Sequence, residues 1–261
     1  MAQIPNKPRL YAHRGAAAEQ PENTMPSFER ALDIGADALE MDAHMTSDGH
    51  IVVAHDPTGR RMAGVDAQIR QHRLDQVRQW DMGWGFQDAD GARPFAKSGY
   101  HMPTFEEVLI NFPNTIINVD LKQGRPQMVT PMVELIRRHH AEERVLLASF
   151  LTRNLVRVRL MGYAGPTALS HTEVAALALA PGFVFRAMPG TGIAAQIPIA
   201  AGPIRLDTKA FIAKCHDLGL RVDYWTINDA NEARRLLDAG ADGIMTDDPA
   251  AVLPAFGERG A

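Results

Sequence analysis

The stretch Thr24-Met25-Pro26-Ser27-Phe28-Glu29-Arg30-Ala31-Leu32-Asp33-Ile34-Gly35-Ala36-Asp37-Ala38-Leu39-Glu40-Met41-Asp42-Ala43-His44 contains one complete structural unit. Residues 24–34 are amphipathic with helical period, and residues 38–44 read as a strand. Gly35 between them suits the left-handed residue that closes a helix. The same punctuation recurs at Gly162, Gly219 and Gly240. Short aliphatic runs at residues 9–13, 38–44, 51–55, 115–121, 144–150, 166–170, 194–199, 220–227 and 243–246 predict strands. Amphipathic segments at residues 127–140, 153–161, 208–218 and 231–239 lie between several of them. Leu155, Val158, Leu160 and Met161 mark the apolar face of the second of these. Strand-then-helix repetition implies parallel pairing. With residues 51–55 taken as an extra hairpin strand, about eight units remain, the number that closes a (β/α)8 TIM barrel. The alternative is an open doubly wound sheet.

Residues 57–102 break the rhythm. They are polar and irregular, hold six glycines, and offer one plausible helix near residues 74–80. So long a stretch without regular structure is uncommon as an ordinary loop. It predicts an insertion after the second strand, on the side where barrels keep their active sites, inside a single domain spanning residues 1–261.

Composition narrows the function. The chain has 261 residues, 46% hydrophobic and 22% charged, which excludes a disordered chain. A single cysteine excludes a disulfide scaffold and a multi-thiolate zinc site. A net charge of −4 offers no global basic field for nucleic acid. No run approaches the roughly 18 apolar residues of a membrane span, and no apolar leader opens the sequence, so a cytoplasmic protein without a stable membrane anchor is expected.

Alternation along a strand makes the chemical argument. Glu40, Asp42 and His44 are two residues apart and share one face. A strand buried on both sides should be almost continuously apolar, and two acids there are costly unless paired or bound to a cation. Asn118, Asp120 and Lys122 repeat the parity. Three carboxylates at two strand ends fit either an oxygen-rich divalent site for Mg²⁺ or Ca²⁺, or a buried ion-pair network with Lys122 or Arg14. His13 and His55 end nearby strands and could divide acid and base roles, while Arg14 offers a planar fork for phosphate. There is no GxxxxGK[ST], GxGxxG, HExxH or GxSxG motif, and Cys215 reads as a mid-helix packing residue.

The signature His13-Arg14-Gly15, Glu22-Asn23-Thr24, Gly35-Ala36-Asp37, Glu40, Asp42, Thr46-x-Asp48-Gly49 and Val52-Val53-x-His55-Asp56 closely resembles the glycerophosphodiester phosphodiesterases. The resemblance continues through Pro103-Thr104-Phe105-Glu106-Glu107-Val108, Asn118-Val119-Asp120-Leu121-Lys122, Gln196-x-Pro198 and Trp225-Thr226-Ile227-Asn228. It closes on Gly240-Ala241-Asp242-Gly243-Ile244-x-Thr246-Asp247-x-Pro249. It implies a TIM barrel and divalent-metal-dependent hydrolysis of glycerophosphodiesters to sn-glycerol 3-phosphate and an alcohol. Carried over by position, His13 and His55 would be acid and base. Glu40, Asp42 and Asp120 would hold the metal, Arg14 and Lys122 would contact the phosphate, and Trp225 would wall the cleft. The family usually has Glu where this chain has Asp120. Residues 81–100 resemble members that act on longer lipid-like diesters, for which Trp84, Phe86 and Tyr100 could form an apolar lip; the bland alternative is that these aromatics only pack their own segment. A lysophospholipase D-like, possibly cyclising activity is therefore an alternative, as is a catalytically silent barrel that only binds.

Overall fold

The computed structural model describes residues 7–188 and 191–257. The start of the sequence, read above for a leader, lies outside them over residues 1–6. The strands are β1 Arg9–His13, β2 Ala38–Met45, β3 Ile51–Val53, β4 Ile116–Leu121, β5 Val145–Ala148, β6 Ala194–Ile197, β7 Ala200–Ala201, β8 Ile204–Arg205, β9 Arg221–Tyr224 and β10 Gly243–Thr246. The helices are α1 Met25–Ile34, α2 Arg60–Ala63, α3 Leu74–Val77, α4 Phe105–Asn111, α5 Val129–Arg138, α6 Thr152–Leu160, α7 His171–Leu179, α8 Gly182–Arg186, α9 Lys209–Asp217, α10 Ala230–Ala239 and α11 Pro249–Val252.

The sheet runs β5-β4-β2-β1-β10-β9-β6, all parallel, with β3 antiparallel beside β2. Thr167 bridges to Leu147 and Ala168 to Ala194, which joins the two ends and closes the barrel. The expected strand at 166–170 thus shrinks to two bridging residues. Pro166 has no N–H to donate, and Ser170 already caps α7, its hydroxyl accepting from the Glu173 amide. β3, β5, β6 and β9 end two or three residues short of their predicted limits, and His55, Phe150, Pro198 and Trp225, just beyond them, line the mouth. The helix α7–α8 and the hairpin β7–β8 had no sequence forecast.

Helix limits follow local chemistry. Gly35 adopts φ 106° and its amide reaches the carbonyls of Ala31 and Leu32, closing α1. Gly162, Gly219 and Gly240 are also left-handed. Thr104 and Glu107 form a reciprocal capping box at α4.

Strand parity then sorts the side chains. Leu39, Met41 and Ala43 point outward and pack with Phe28, Phe105, Val108, Val133 and Ile136 of the helices. Leu10, Val222, Tyr224 and Ile244 do the same on the other half, against Ile212, Ala233 and Leu236. Phe28 meets Phe112 edge-on at 6.3 Å. The inward residues begin with Tyr11, Ala38, Ile116 and Met245 and continue, two positions further along, into the polar groups of the mouth. The segment 57–102 is denser in structure than expected. It holds α2 and α3, and Met62, Ile69, Val77, Trp80 and Met102 form its own buried cluster. Trp84 stacks under Arg93, and Phe86, Phe95 and Tyr100 pack edge-on, so these aromatics fold the segment; none of them lines the central cavity. Cys215 is buried and its thiol is pushed up to about 12 by burial, as befits a packing residue. No helix among the described residues is long and apolar enough to cross a membrane.

The turn after β1 leaves no room for a side chain. Gly15 has φ 86°, and a Cβ there would stand 2.3 Å from Ser27 Oγ. Gly15→Ala is therefore expected to cost about 2 kcal/mol, on the order of 5 °C in Tm, measurable by thermal denaturation.

Candidate active site

A cavity of about 260 Å³ opens at the C-terminal ends of the strands. The residues to which the resemblance gives catalytic, metal or substrate roles all line it: His13, Arg14, Glu40, Asp42, His55, Asp120, Lys122 and Trp225. Register brings them together. In the parallel ladders His13 is opposite Glu40, Glu40 opposite Asn118, and Asp42 opposite Asp120. One side of the cavity is thus polar. The other is formed by Phe150, Leu169, Val174, Ile197, Pro198 and Trp225. Phe150 and Trp225 meet edge-on with centroids 5.8 Å apart, and Lys122 Nζ lies 5.6 Å from the Phe150 ring.

Asp42 is 1% exposed. Lys122 Nζ stands 2.9 Å from its Oδ1, Arg14 Nε 3.1 Å from its Oδ2, and Asn23 Nδ2 donates to Oδ2 at 3.1 Å. Burial alone would raise its pKa, but Lys122 and Arg14 hold it below the usual carboxylate range. Asp120 accepts from Lys122 Nζ at 2.6 Å through Oδ2, while its Oδ1 has no partner; burial raises its pKa. Among the described residues, Glu40 accepts from the Arg14 amide at 3.2 Å, with His13 Nε2 at 3.8 Å. Its pKa is raised by burial. Between Asp120 and Asp42, Lys122 is held firmly protonated, against its own burial.

Among the described residues, no three His, Cys, Asp or Glu side chains are drawn together as a ready metal-ligand cluster. Glu40, Asp42 and Asp120, the ligands that the resemblance implies, all line the cavity. The three acids share the cavity, but Lys122 bridges Asp42 and Asp120. Two buried carboxylates side by side need a cation between them, and Lys122, on the same face as Asp120, supplies it. The donors still suit a hard divalent ion. They are oxygens, and Asp120 Oδ1 and Asn118 Oδ1 are buried without partners.

Both histidines are backed by carboxylates. His13 Nδ1 pairs with Asp247 Oδ1 at 2.6 Å, which leaves Nε2 toward Glu40 and the cavity. Asp247 is itself held by Asn228 Nδ2 at 2.9 Å, and Asn228 Oδ1 accepts from Thr246 Oγ1 and the Asp247 amide. Burial disfavours a charged His13, yet Glu40 and Asp247 together raise its pKa. His55 Nδ1 pairs with Asp56 Oδ1 at 2.8 Å, and the His55 carbonyl accepts from His44 Nε2 at 3.1 Å. Burial lowers the His44 pKa, so a neutral His44 serves as a prop.

Sequence reasoning gave no role to Asn23, Asp247 or Phe150. They sit outside helices and strands, where no periodicity marks them. Backbone conformation is a signal only the structure carries: Arg14 and Asn23 have φ 59° and 57°, rare for side-chain-bearing residues and common at functional sites.

A parallel barrel whose mouth combines two carboxylate-backed histidines, buried acids and two cations has the make-up of an enzyme active site. The chain belongs to the glycerophosphoryl diester phosphodiesterase family, whose profile matches residues 13–251, and it is a phosphodiesterase. A glycerophosphodiester phosphodiesterase of Caldanaerobacter subterraneus is 29% identical over 263 residues, covering 95% of this chain and 97% of the relative. A human lysophospholipase D is 28% identical over 264 residues, covering 91% of this chain and 82% of the relative. A phosphodiesterase of Oleispira antarctica, solved with its product sn-glycerol-3-phosphate, shares the fold with a TM-score of 0.75 and 21% identity, covering 97% of this chain and 98% of the other.

The imidazole of His13 offers a direct check. A group whose folded pKa is raised above its ordinary value of 6.5 stabilises the fold fully below that value, and the contribution is lost as pH rises through the folded pKa. Asp247→Asn removes one of the two raising charges. It should lower the His13 pKa in an NMR titration and move that loss of stability to lower pH.

Proposed function

We propose that this enzyme hydrolyses glycerophosphodiesters to sn-glycerol 3-phosphate and an alcohol, using His13 and His55 as its acid–base pair. The observation that carries this reading is the meeting of both carboxylate-backed histidines with Arg14, Lys122 and three buried acids on one cavity. The whole chain acts as one barrel domain, with 57–102 as an insertion.

A phosphodiester anion repels an attacking oxygen, and its alkoxide leaves poorly. Arg14 and Lys122 answer the first difficulty by placing two positive charges at the phosphoryl oxygens. The histidines answer the second. One imidazole accepts a proton from the attacking water as its oxygen bonds to phosphorus. The other, as imidazolium, donates a proton to the departing oxygen as the P–O bond breaks. Asp247 and Asp56 keep each ring's Nδ1 engaged, so Nε2 does the exchanging. Glu40, Asp42 and Asp120 are the residues to hold a divalent cation, which when bound neutralises charge on the phosphoryl oxygens. Trp225 and Phe150 form the apolar wall for the uncharged part of the substrate.

The apolar half of the cavity also favours a second reading, cleavage of lysolipids, whose alcohol or acyl chain would lie against Phe150, Leu169 and Val174. A panel of glycerophospho-alcohols and lysophospholipids, with product identified by ³¹P NMR, separates the two. Free glycerol 3-phosphate supports the first reading, and lysophosphatidic or cyclic phosphate the second.

His13→Ala and His55→Ala should each lower kcat/KM by about 10²-fold or more with an unchanged circular dichroism spectrum. Near-normal turnover in either variant sinks the acid–base assignment. Chelation with EDTA should stop turnover and added Mg²⁺ or Ca²⁺ restore it. Activity indifferent to chelator removes the metal role of Glu40, Asp42 and Asp120.

A further inference from the structure

We propose that Arg61, on α2 of the 57–102 segment, is a positioning residue that holds the Arg14 and His55 sides of the site in place by clamping Glu22 and Asp56 together. The inference rests on the phosphodiesterase reading above. Its geometry is independent of that reading.

Three bonds define the clamp. Arg61 Nε donates to Asp56 Oδ2 at 2.7 Å. Arg61 Nη1 and Nη2 donate to the two Glu22 oxygens, each at 2.7 Å, in the forked pairing that a guanidinium makes with a carboxylate. The far side of each acid faces the site. Asp56 Oδ1 holds His55 Nδ1 at 2.8 Å, and Glu22 Oε1 accepts from Arg14 Nη1 at 3.2 Å. A continuous chain therefore runs from His55 through Asp56, Arg61 and Glu22 to Arg14, and on to Asp42 at 3.1 Å.

The ladders do not make this connection. β1 pairs with β2 and β10, and β3 pairs with β2, so no strand pairing ties the turn after β1 to the turn after β3. The 57–102 segment ties them through side chains, and Tyr100 adds a second tether by donating to Gln20 Oε1 at 2.8 Å. Arg61 is well anchored for the task, since the next two residues, Met62 and Ala63, are buried in the segment's own core. Its neighbour Arg60 shows the contrast. It pairs with Asp66 where both side chains are about 70% exposed, an ordinary surface pair.

Charge sharpens the role. Glu22 lies between two guanidiniums, and Arg61 takes both of its oxygens. Without Arg61, the full charge of Glu22 falls on Arg14 and draws it from the phosphate position. Asp56 likewise loses the bond that fixes the plane in which it presents His55. The two losses read out differently, the first in substrate affinity and the second in turnover.

The test uses the full chain with divalent cation and a glycerophosphodiester. Arg61→Ala should raise KM about tenfold and lower kcat severalfold, with Tm moved by less than about 3 °C because the pair is part-exposed. Arg61→Lys should recover only part of the loss, since an ammonium cannot fork. Adding Glu22→Gln to Arg61→Ala should bring KM back to within about threefold of the parent while kcat stays low. Titration with inorganic phosphate by calorimetry supplies a reading free of turnover: Arg61→Ala weakens phosphate binding, and the added Glu22→Gln restores it. Unchanged kinetics and phosphate affinity in Arg61→Ala, a defect that merely follows a large fall in Tm, or no relief from Glu22→Gln overturns the proposal. An inactive parent that still binds phosphate would refute the function and leave the phosphate titrations to decide on Arg61.

Discussion

Asp42 is a charge kept ionised in a place with almost no water, and the mouth of the barrel is organised around it. A carboxylate at 1% exposure is tolerable only with partners on both oxygens, and the chain supplies Lys122, Arg14 and Asn23. Each partner has its own cost. Arg14 and Asn23 adopt left-handed backbone conformations to reach the site, and Lys122 is shared with Asp120. Polar groups that would weaken an ordinary core are thus gathered at the mouth of the barrel, where a charged substrate can use them.

Much of this was legible in the sequence, for physical reasons that can be named. The two-residue alternation of Glu40, Asp42 and His44 fixes a shared face whatever the fold, and the repeat of strand, helix and glycine fixes parallel neighbours. Only the pairing register, which sets Asp42 opposite Asp120 and His13 opposite Glu40, turns shared faces into a site. Register is a long-range property of hydrogen-bonded ladders, and no local pattern encodes it. The sequence left an ion-pair network and a metal site as equal readings of the acids. The structure displays the first through Lys122, and the unpartnered oxygens of Asn118 and Asp120 keep the second chemically open.

The roles that the sequence left unassigned fall outside its long helices and strands. Asp247 and Asn228 hold His13 from the far end of the chain, and Arg61 reaches back from a segment that showed only one helix by periodicity. Such residues act by position in space and leave no spacing rule. The strand at 166–170 failed for a related reason. Its composition suits β structure, but Pro166 and the cap at Ser170 crowd it from both ends.

That short joint gives the barrel an uneven seam. Elsewhere neighbouring strands share ladders of two to six residue pairs, while Thr167 and Ala168 make one bridge apiece. Local opening is governed by how many bonds and contacts must break together, and here two backbone hydrogen bonds close each junction of the wall between β5 and β6: Leu147 N to Pro166 O and Ala168 N to Leu147 O on one side, Ile193 N to Thr167 O and Leu169 N to Ala194 O on the other. Ala168 and Leu169 line the cavity on that wall, beside Phe150 and Ile197. The polar side is riveted by charge, while the apolar side rests on the thinnest stitching. An anion bound at this mouth would meet charge-paired side chains on one wall and, on the other, a seam with few backbone bonds.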